Sequence, residues 1–155
     1  MQLVSFRLQD QLLGLEILLV REINRQMEST SIQLADAHII GLANLRGQIV
    51  TIFDLGERLG IPAAEAAECH NIVLKTNAEL APVRAREGRE DLVSCADPTG
   101  LRVDAIGDII EVADTQLEPT PANLSGVDSR FLSGVVTLEN ELMLILDLQE
   151  LLKES

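Results

Sequence analysis

The run Ile39-Ile40-Gly41-Leu42-Ala43-Asn44-Leu45-Arg46-Gly47-Gln48-Ile49-Val50-Thr51-Ile52-Phe53-Asp54-Leu55 decides how this chain is read, because turn chemistry passes directly into a dense β-branched stretch. Gly41 and Gly47 can take backbone angles closed to other residues and Asn44 tolerates left-handed geometry, so Gly41 to Gly47 predicts a tight turn. Ile49 to Phe53 predicts a strand buried on both faces, since its apolar residues run without the alternation of a half-exposed strand. Arg46 is a long cationic side chain inside this apolar run. Its guanidinium must meet a carboxylate, cap carbonyls or face a partner. Glu22 and Asp54 are the carboxylates that could hold it and pin the turn.

Outward from this run the chain reads as mostly β. Strand-like segments fall at 2–8, 12–17, 18–24, 49–54, 71–76, 101–105, 106–112, 133–138 and 141–145, many punctuated by Gly, Asn or Asp. Helix signals are few. Residues 36–40 and 55–59 suit a turn or two each, the second stopped by Gly60 and Pro62, and a last helix is expected from the cap Asp147, with Glu150 three residues on.

The chain also repeats itself. Gly14-Leu15-Glu16-Ile17-Leu18-Leu19-Val20-Arg21-Glu22-Ile23 echoes Gly100-Leu101-Arg102-Val103-Asp104-Ala105-Ile106-Gly107-Asp108-Ile109, and the stretch 51–59 echoes 144–152 around Asp54-Leu55 and Asp147-Leu148. Two matches in the same order predict one domain over 1–155 built of two related halves, about 1–62 and 70–152, whose ends can exchange. Each half is too short to cover both faces of an open sheet. Closing each into a small barrel removes its edges, and packing the barrels together gives a shared core with a groove between them. Pro62 to Glu68 reads as the link. Residues 77–99 separate two strand candidates, and their charge, Pro and Gly suggest a long exposed insertion loop, the alternative being extra elements.

Composition excludes several classes. At 155 residues the chain can bury about 70% of its unfolded surface without a disulfide or metal staple. A net charge of −13 opposes nucleic acid and anionic lipid, and three Phe with no Trp or Tyr leave no base-stacking platform. Cys69 and Cys95 are poorly framed for a disulfide or metal site and read as thiols of a reducing cytoplasm. Met1 runs straight into a strand, which leaves no room for a leader, and no run approaches the ~20 apolar residues of a membrane span. A soluble, cytosolic protein is expected.

The pattern Gly-Leu-x-Asn-Leu-Arg-Gly-x-Ile-Val-x-x-x-Asp-Leu at 41–55 resembles the signature of the CheW-like domains, coupling proteins of bacterial chemosensory arrays. The resemblance covers nearly the whole chain. It implies an all-β fold of two pseudo-repeated five-stranded SH3-like barrels sharing a core, with short helical turns and a C-terminal helix. It also implies a non-catalytic adaptor, without cofactor, that links the cytoplasmic tips of chemoreceptors to the regulatory domain of the histidine kinase CheA at membrane-associated arrays.

In that reading Arg46 lies at the groove and meets the receptor, Glu22 and Gly41 match other positions of the receptor-binding region, and Leu42, Leu45, Ile17 and Leu19 supply apolar contact. The kinase side is less defined. The proline-rich connector 118–126 and the run after it offer Leu124 and Phe131 as candidates, against a bland reading as a surface crossover. One departure stands out: Asp54-Leu55-Gly56-Glu57-Arg58 replaces the Asp-Leu-Arg common in the family, so a contact made by that Arg is absent or moved to Arg58.

Other chemistry is sparse. No nucleophile, phosphate-loop or His-Glu-x-x-His motif occurs, and His38 and His70 stand alone. Asp54, Asp104, Asp108 and Asp147 sit where Asp caps and terminates, although a carboxylate cluster keeps open a small metal-dependent enzyme. Within the same class, the alternative is an accessory protein of another chemosensory pathway, governing pili or biofilm, that binds only one partner.

Overall fold

The computed structural model describes residues 1–25, 29–31, 38–61, 70–121, 123–124 and 126–153. Its elements run β1 (Gln2–Leu8), β2 (Gln11–Glu16), a 3-10 turn (Ile17–Leu19), β3 (Val20–Arg25), β4 (Ser29–Ser31), β5 (Ile39–Leu45), β6 (Gln48–Asp54), α1 (Leu55–Leu59) and β7 (His70–Leu74). There follow α2 (Asn77–Glu87), β8 (Thr99–Val103), β9 (Ala105–Glu111), a second 3-10 turn (Asp114–Gln116), β10 (Leu117–Glu118), β11 (Asn123–Leu124) and β12 (Val127–Asp128). A third 3-10 turn (Ser129–Phe131) leads to β13 (Leu132–Thr137), β14 (Leu142–Leu146) and α3 (Leu148–Leu151).

Apart from the separate β11–β12 hairpin, the strands form two SH3-like barrels. One sheet has the order β10-β13-β14-β2-β1-β9 and the other, read in the matching direction, β4-β5-β6-β8-β7-β3. Position by position these are the same topology, each with five longer strands and one short edge strand, β10 of two residues or β4 of three. The chain reaches this arrangement by exchange: β1 and β2 join the sheet of the C-terminal half, while β7 and β8 join that of the N-terminal half.

The exchange explains the repeats. In the parallel pairs, Gly14 of β2 lies opposite Ile145 of β14 and Gly100 of β8 opposite Ile52 of β6, so each glycine echo is the partner strand of the other half's Asp-Leu echo. At Gly14 a Cβ would meet Ile145 Cδ1 and Met143 Sδ at 3.0 Å, and the bare backbone is what lets those side chains close over β2. After each Asp-Leu strand the aspartate caps a helix. Asp54 accepts from Glu57 N at 3.2 Å and Asp147 from Glu150 N at 3.3 Å, and α1 ends on Gly60 at φ 76°.

Strand alternation divides the core in three. On β14, Met143 and Ile145 point into one barrel with Leu3, Leu12 and Val136, while Leu144 and Leu146 point to a shared core. On β6, Val50 and Ile52 fill the second barrel with Ala43, Leu45 and Val73, and Phe53 joins the shared core. That shared core gathers Phe6, Leu13, Leu15, Leu55, Ile72, Leu101, Phe131 and Leu151, and it fuses the barrels into one body.

Several expectations change. The stretch expected as a turn from Gly41 to Gly47 is mostly strand β5, because Gly41 packs into the ladder beside Ile52; only Arg46 and Gly47, at φ 51° and 86°, turn the chain. Two successive positive-φ residues between Leu45 and Gln48 make a two-residue hairpin loop of type I′, and Asn44 Oδ1 accepts from Gly47 N at 2.8 Å. Ile49, expected buried, is 56% exposed, since its face of β6 lies outside the barrel. Ile17 and Leu19 belong to a 3-10 turn rather than a strand.

Of the alternatives for residues 77–99, the structure has an element: α2, closed by a capping box between Thr76 and Glu79 and by Gly88 at φ 64°, with Leu80, Val83 and the following Leu92 in the shared core. The link at 62–68 lies outside the described residues, as do positions 36 and 37 of the helical turn expected at 36–40; of the rest of that turn, His38 lies in a turn and Ile39 and Ile40 open strand β5 instead.

Candidate docking surface

The β3 strand carries a bulge. Val20 pairs with Leu74 and Glu22 with the adjacent Val73, so Arg21 is an extra residue that has no partner in the ladder. Bulges of this kind re-aim side chains. Arg21 Nη1 donates to Gln48 Oε1 at 2.6 Å, and Glu22 Oε1 accepts from Arg46 Nη2, so both residues of the bulge reach the tip of the β5–β6 hairpin. Arg21 Nε also lies 3.8 Å from Glu22 Oε1 and 3.8 Å from Glu79 Oε2 on α2. A chain of alternating charges thus runs Glu79, Arg21, Glu22, Arg46 across three elements.

The Arg46 side chain stays 66% exposed even though its guanidinium is paired, whereas the Glu22 side chain is only 23% exposed. Large apolar side chains stand out on the same barrel: Ile23 on β3, Leu42 on β5 and Ile49 on β6. Leu42 faces outward opposite half-buried Thr51, and Ile49 outward opposite exposed Asn44. Leu42 and Ile49 are thus diagonal neighbours on the outward face of the β5–β6 hairpin whose tip carries Arg46.

The residues expected at the receptor surface therefore separate. Arg46, Glu22 and Leu42 are accessible on the barrel of β3 to β8. Gly41 is buried in the same barrel. Leu45 and Leu19 are corrected: at 6% and 7% exposure they are core residues, Leu45 inside the barrel and Leu19 in the shared core, and offer no free apolar surface. Half-buried Ile17 lines a cleft of about 320 Å³ with Met1, Glu16 and Arg89, a site that Arg46, Glu22 and Leu42 do not line. Sequence reasoning passed over Arg21, Gln48, Ile23, Ile49 and Glu79. For Glu79 a signal was present, the Thr76-x-x-Glu79 capping box.

Of the residues expected on the kinase side, Leu124 is half-buried in the β11–β12 hairpin and Phe131 is 5% exposed, so Phe131 is a core residue rather than a surface anchor. Its ring lies under two cations, Arg58 at 5.0 Å and Arg130 at 4.5 Å. Arg58 also closes α3, donating from Nε to Leu151 O at 3.2 Å and from Nη2 to Lys153 O at 2.8 Å.

The aspartates do not converge. Asp54 and Asp147 cap helices, Asp104 Oδ2 accepts from Gln9 N at 2.7 Å, and the Asp108 carbonyl accepts from Ser5 Oγ at 2.5 Å. Among the described residues no group of three His, Cys, Asp or Glu side chains is arranged to hold a metal ion, and no helix is long and apolar enough to cross a membrane.

The described residues thus make two fused barrels, one of which carries a chain of paired charges and two exposed apolar side chains on its β5–β6 hairpin, with no metal cluster among them. The CheW-like domain family matches residues 2–155. A probable chemotaxis protein CheW of Rhizobium etli is 30% identical over 99% of this chain and 88% of its own length, and the chemotaxis protein CheW of Rhizobium meliloti is 33% identical over 95% and 84%. The crystal structure of scaffolding protein TtCheW from Thermoanaerobacter tengcongensis superposes with a TM-score of 0.80 at 25% identity, covering 99% of this chain and 88% of that one. The chain belongs to the CheW-like domain family, and its function is that of a chemotaxis coupling scaffold.

Proposed function

We propose that this scaffold couples chemoreceptors to the kinase CheA without a catalytic step of its own, taking a receptor's cytoplasmic tip on the Arg46–Glu22 face and the kinase regulatory domain elsewhere on the molecule. One observation carries the receptor half. Arg46 sits at φ 51° in a type I′ loop, a position suited to Asn or Gly, where a left-handed L-residue costs roughly 1–2 kcal/mol. Strain retained at an exposed side chain points to a use for that side chain. Its guanidinium has donors to spare beyond Glu22, while Leu42, Ile49 and Ile23 offer apolar contact to a helical hairpin.

Signal passes as a difference in affinity between receptor or kinase states, which needs neither cofactor nor metal. The kinase contact is assigned to the end of the molecule that holds Leu124 and the Arg58–Phe131–Arg130 stack. The protein works on the cytoplasmic side of receptor arrays.

The test is titration of the purified protein with a receptor-tip hairpin and with a CheA regulatory domain, singly and together, for the natural sequence, Arg46→Glu and Arg46→Asn. Both partners bind the natural sequence at once, and both variants lose the receptor alone. Arg46→Asn also melts at or above the natural temperature, because Asn-Gly relieves the turn. A variant that loses stability and keeps the receptor refutes the assignment; binding of a single partner by the natural sequence makes it an accessory protein instead.

A further inference from the structure

We propose that Glu79, carried on the inserted helix α2, is a positioning residue that sets the charge and the docking strength of the Arg46–Glu22 surface, an inference that rests on the receptor-docking reading above. Two carboxylates share one guanidinium here, since Arg21 Nε is 3.8 Å from both Glu79 Oε2 and Glu22 Oε1. Two guanidiniums in turn share one oxygen, since the same Glu22 Oε1 holds Arg46. The four side chains sum to zero charge.

Glu79 is the only one of the four supplied by residues 77–99, and it is fixed there. Its Oε1 accepts from Thr76 N at 3.0 Å, and Leu80 and Val83 anchor the helix in the shared core, so Oε2 is held toward β3. Removing the charge of Glu79 leaves Arg21 to lean on Glu22, in competition with Arg46. Arg46 is released for a partner, and the surface gains one positive charge. Both effects strengthen docking of a partner that presents carboxylates or carbonyls, and the added charge makes that docking more sensitive to salt. The insertion thereby acts as a brake on receptor affinity.

Glu79→Gln tests this, because glutamine keeps the capping box while losing the charge. Against the soluble tip hairpin of a chemoreceptor from the same genome, Glu79→Gln is expected to bind about two- to fivefold tighter, the range of one exposed ion pair, with a steeper loss of affinity as salt rises. In an Arg21→Gln background the same change has no effect. Thr76→Ala breaks the cap without altering charge, so it lowers the melting temperature and leaves affinity and salt slope alone. Unchanged or weakened binding by Glu79→Gln at an unchanged melting temperature, with Arg46→Glu still losing the receptor, overturns this inference alone. Equal binding by the natural sequence and Arg46→Glu overturns the docking reading and this inference with it.

Discussion

Replacing Arg58 by alanine is expected to act on stability first, because the structure commits this guanidinium inside the molecule. It leaves α1 in one half of the chain and closes the last carbonyls of α3 in the other. The part-buried bond from Nε to Leu151 O is worth about 1 kcal/mol, and the exposed bond from Nη2 to Lys153 O something less. The contact with the Phe131 ring at 5.0 Å adds about 0.5–1 kcal/mol. Together they give a loss of about 2–3 kcal/mol, and at roughly 2–4 °C per kcal/mol for a domain of this size the melting temperature falls by about 4–12 °C.

Arg58→Lys keeps the cation over Phe131 and can reach one carbonyl, so it recovers about half of the loss. Urea denaturation of the two variants beside the natural sequence measures this, with kinase-domain binding determined well below the transition. Arg58→Ala within about 0.5 kcal/mol of the natural sequence refutes the reasoning. So does a variant that is fully stable but loses the kinase, which would restore Arg58 to the surface role suggested by its neighbours in sequence.

Gly107→Ala places a Cβ 2.6 Å from Ser5 Oγ at the β1–β9 bulge and is expected to cost about 1–3 kcal/mol in chemical denaturation, with Ser5→Ala in the same chain recovering part of it because the clashing oxygen is gone. Gly47→Val, at φ 86° in the hairpin loop, should lose about 1–2 kcal/mol and reduce receptor-tip binding by displacing Arg46. The Asp91 carboxyl is held below its ordinary value of 3.8 by hydrogen bonds from Arg89, and the Glu141 carboxyl below 4.5 by those from Arg7. Both folded values are depressed, so their stabilisation is present above the unfolded values and drains away as pH falls through the folded ones; Asp91→Asn with Glu141→Gln should flatten the acid side of the melting-temperature profile, below the ordinary carboxylate range, and an unaltered profile would count against it.

Much of the fold can be read from residue pattern because its two halves carry the same local instructions. Glycine-led strands and aspartate-capped helices recur at matched spacing, and Asp54 and Asp147 perform the same cap in the structure. What the pattern does not carry is pairing. Nothing local in Gly14 or Ile145 reports that they lie side by side in a parallel ladder, 131 residues apart by number (145 − 14).

Strand β5 was obscured for a different reason. Gly41 suggests a turn by composition, yet the left-handed backbone falls on Arg46, a residue type that propensity does not put there. The charged run 77–91 resembles a loop because Pro82 stands inside it, and the helix forms nonetheless, since Thr76 and Glu79 cap it and Leu80, Val83 and Leu92 bury beneath it. At the docking face, the pairing of Arg46 with Glu22 was open to sequence reasoning as an ion pair. The parts contributed by Arg21 and Glu79 were not, because they depend on a bulge in β3 and on where α2 lies.

The exchange of leading strands between barrels also orders events during synthesis. The β1–β2 hairpin leaves the ribosome first, but its flanking partners are β9 and β14, and β14 is the last strand to be made. β9 can cover the edge of β1 as soon as it is made, but the edge of β2 stays open until β14 follows. The N-terminal half likewise waits for β7 and β8 before its sheet is complete. The barrel of β3 to β8 is continuous in the chain and can complete its sheet first, whereas the other closes only when β14 arrives; that closure is the late step of high contact order, and a nascent chain with the edge of β2 unpaired is open to capture by the β14 of a neighbouring copy.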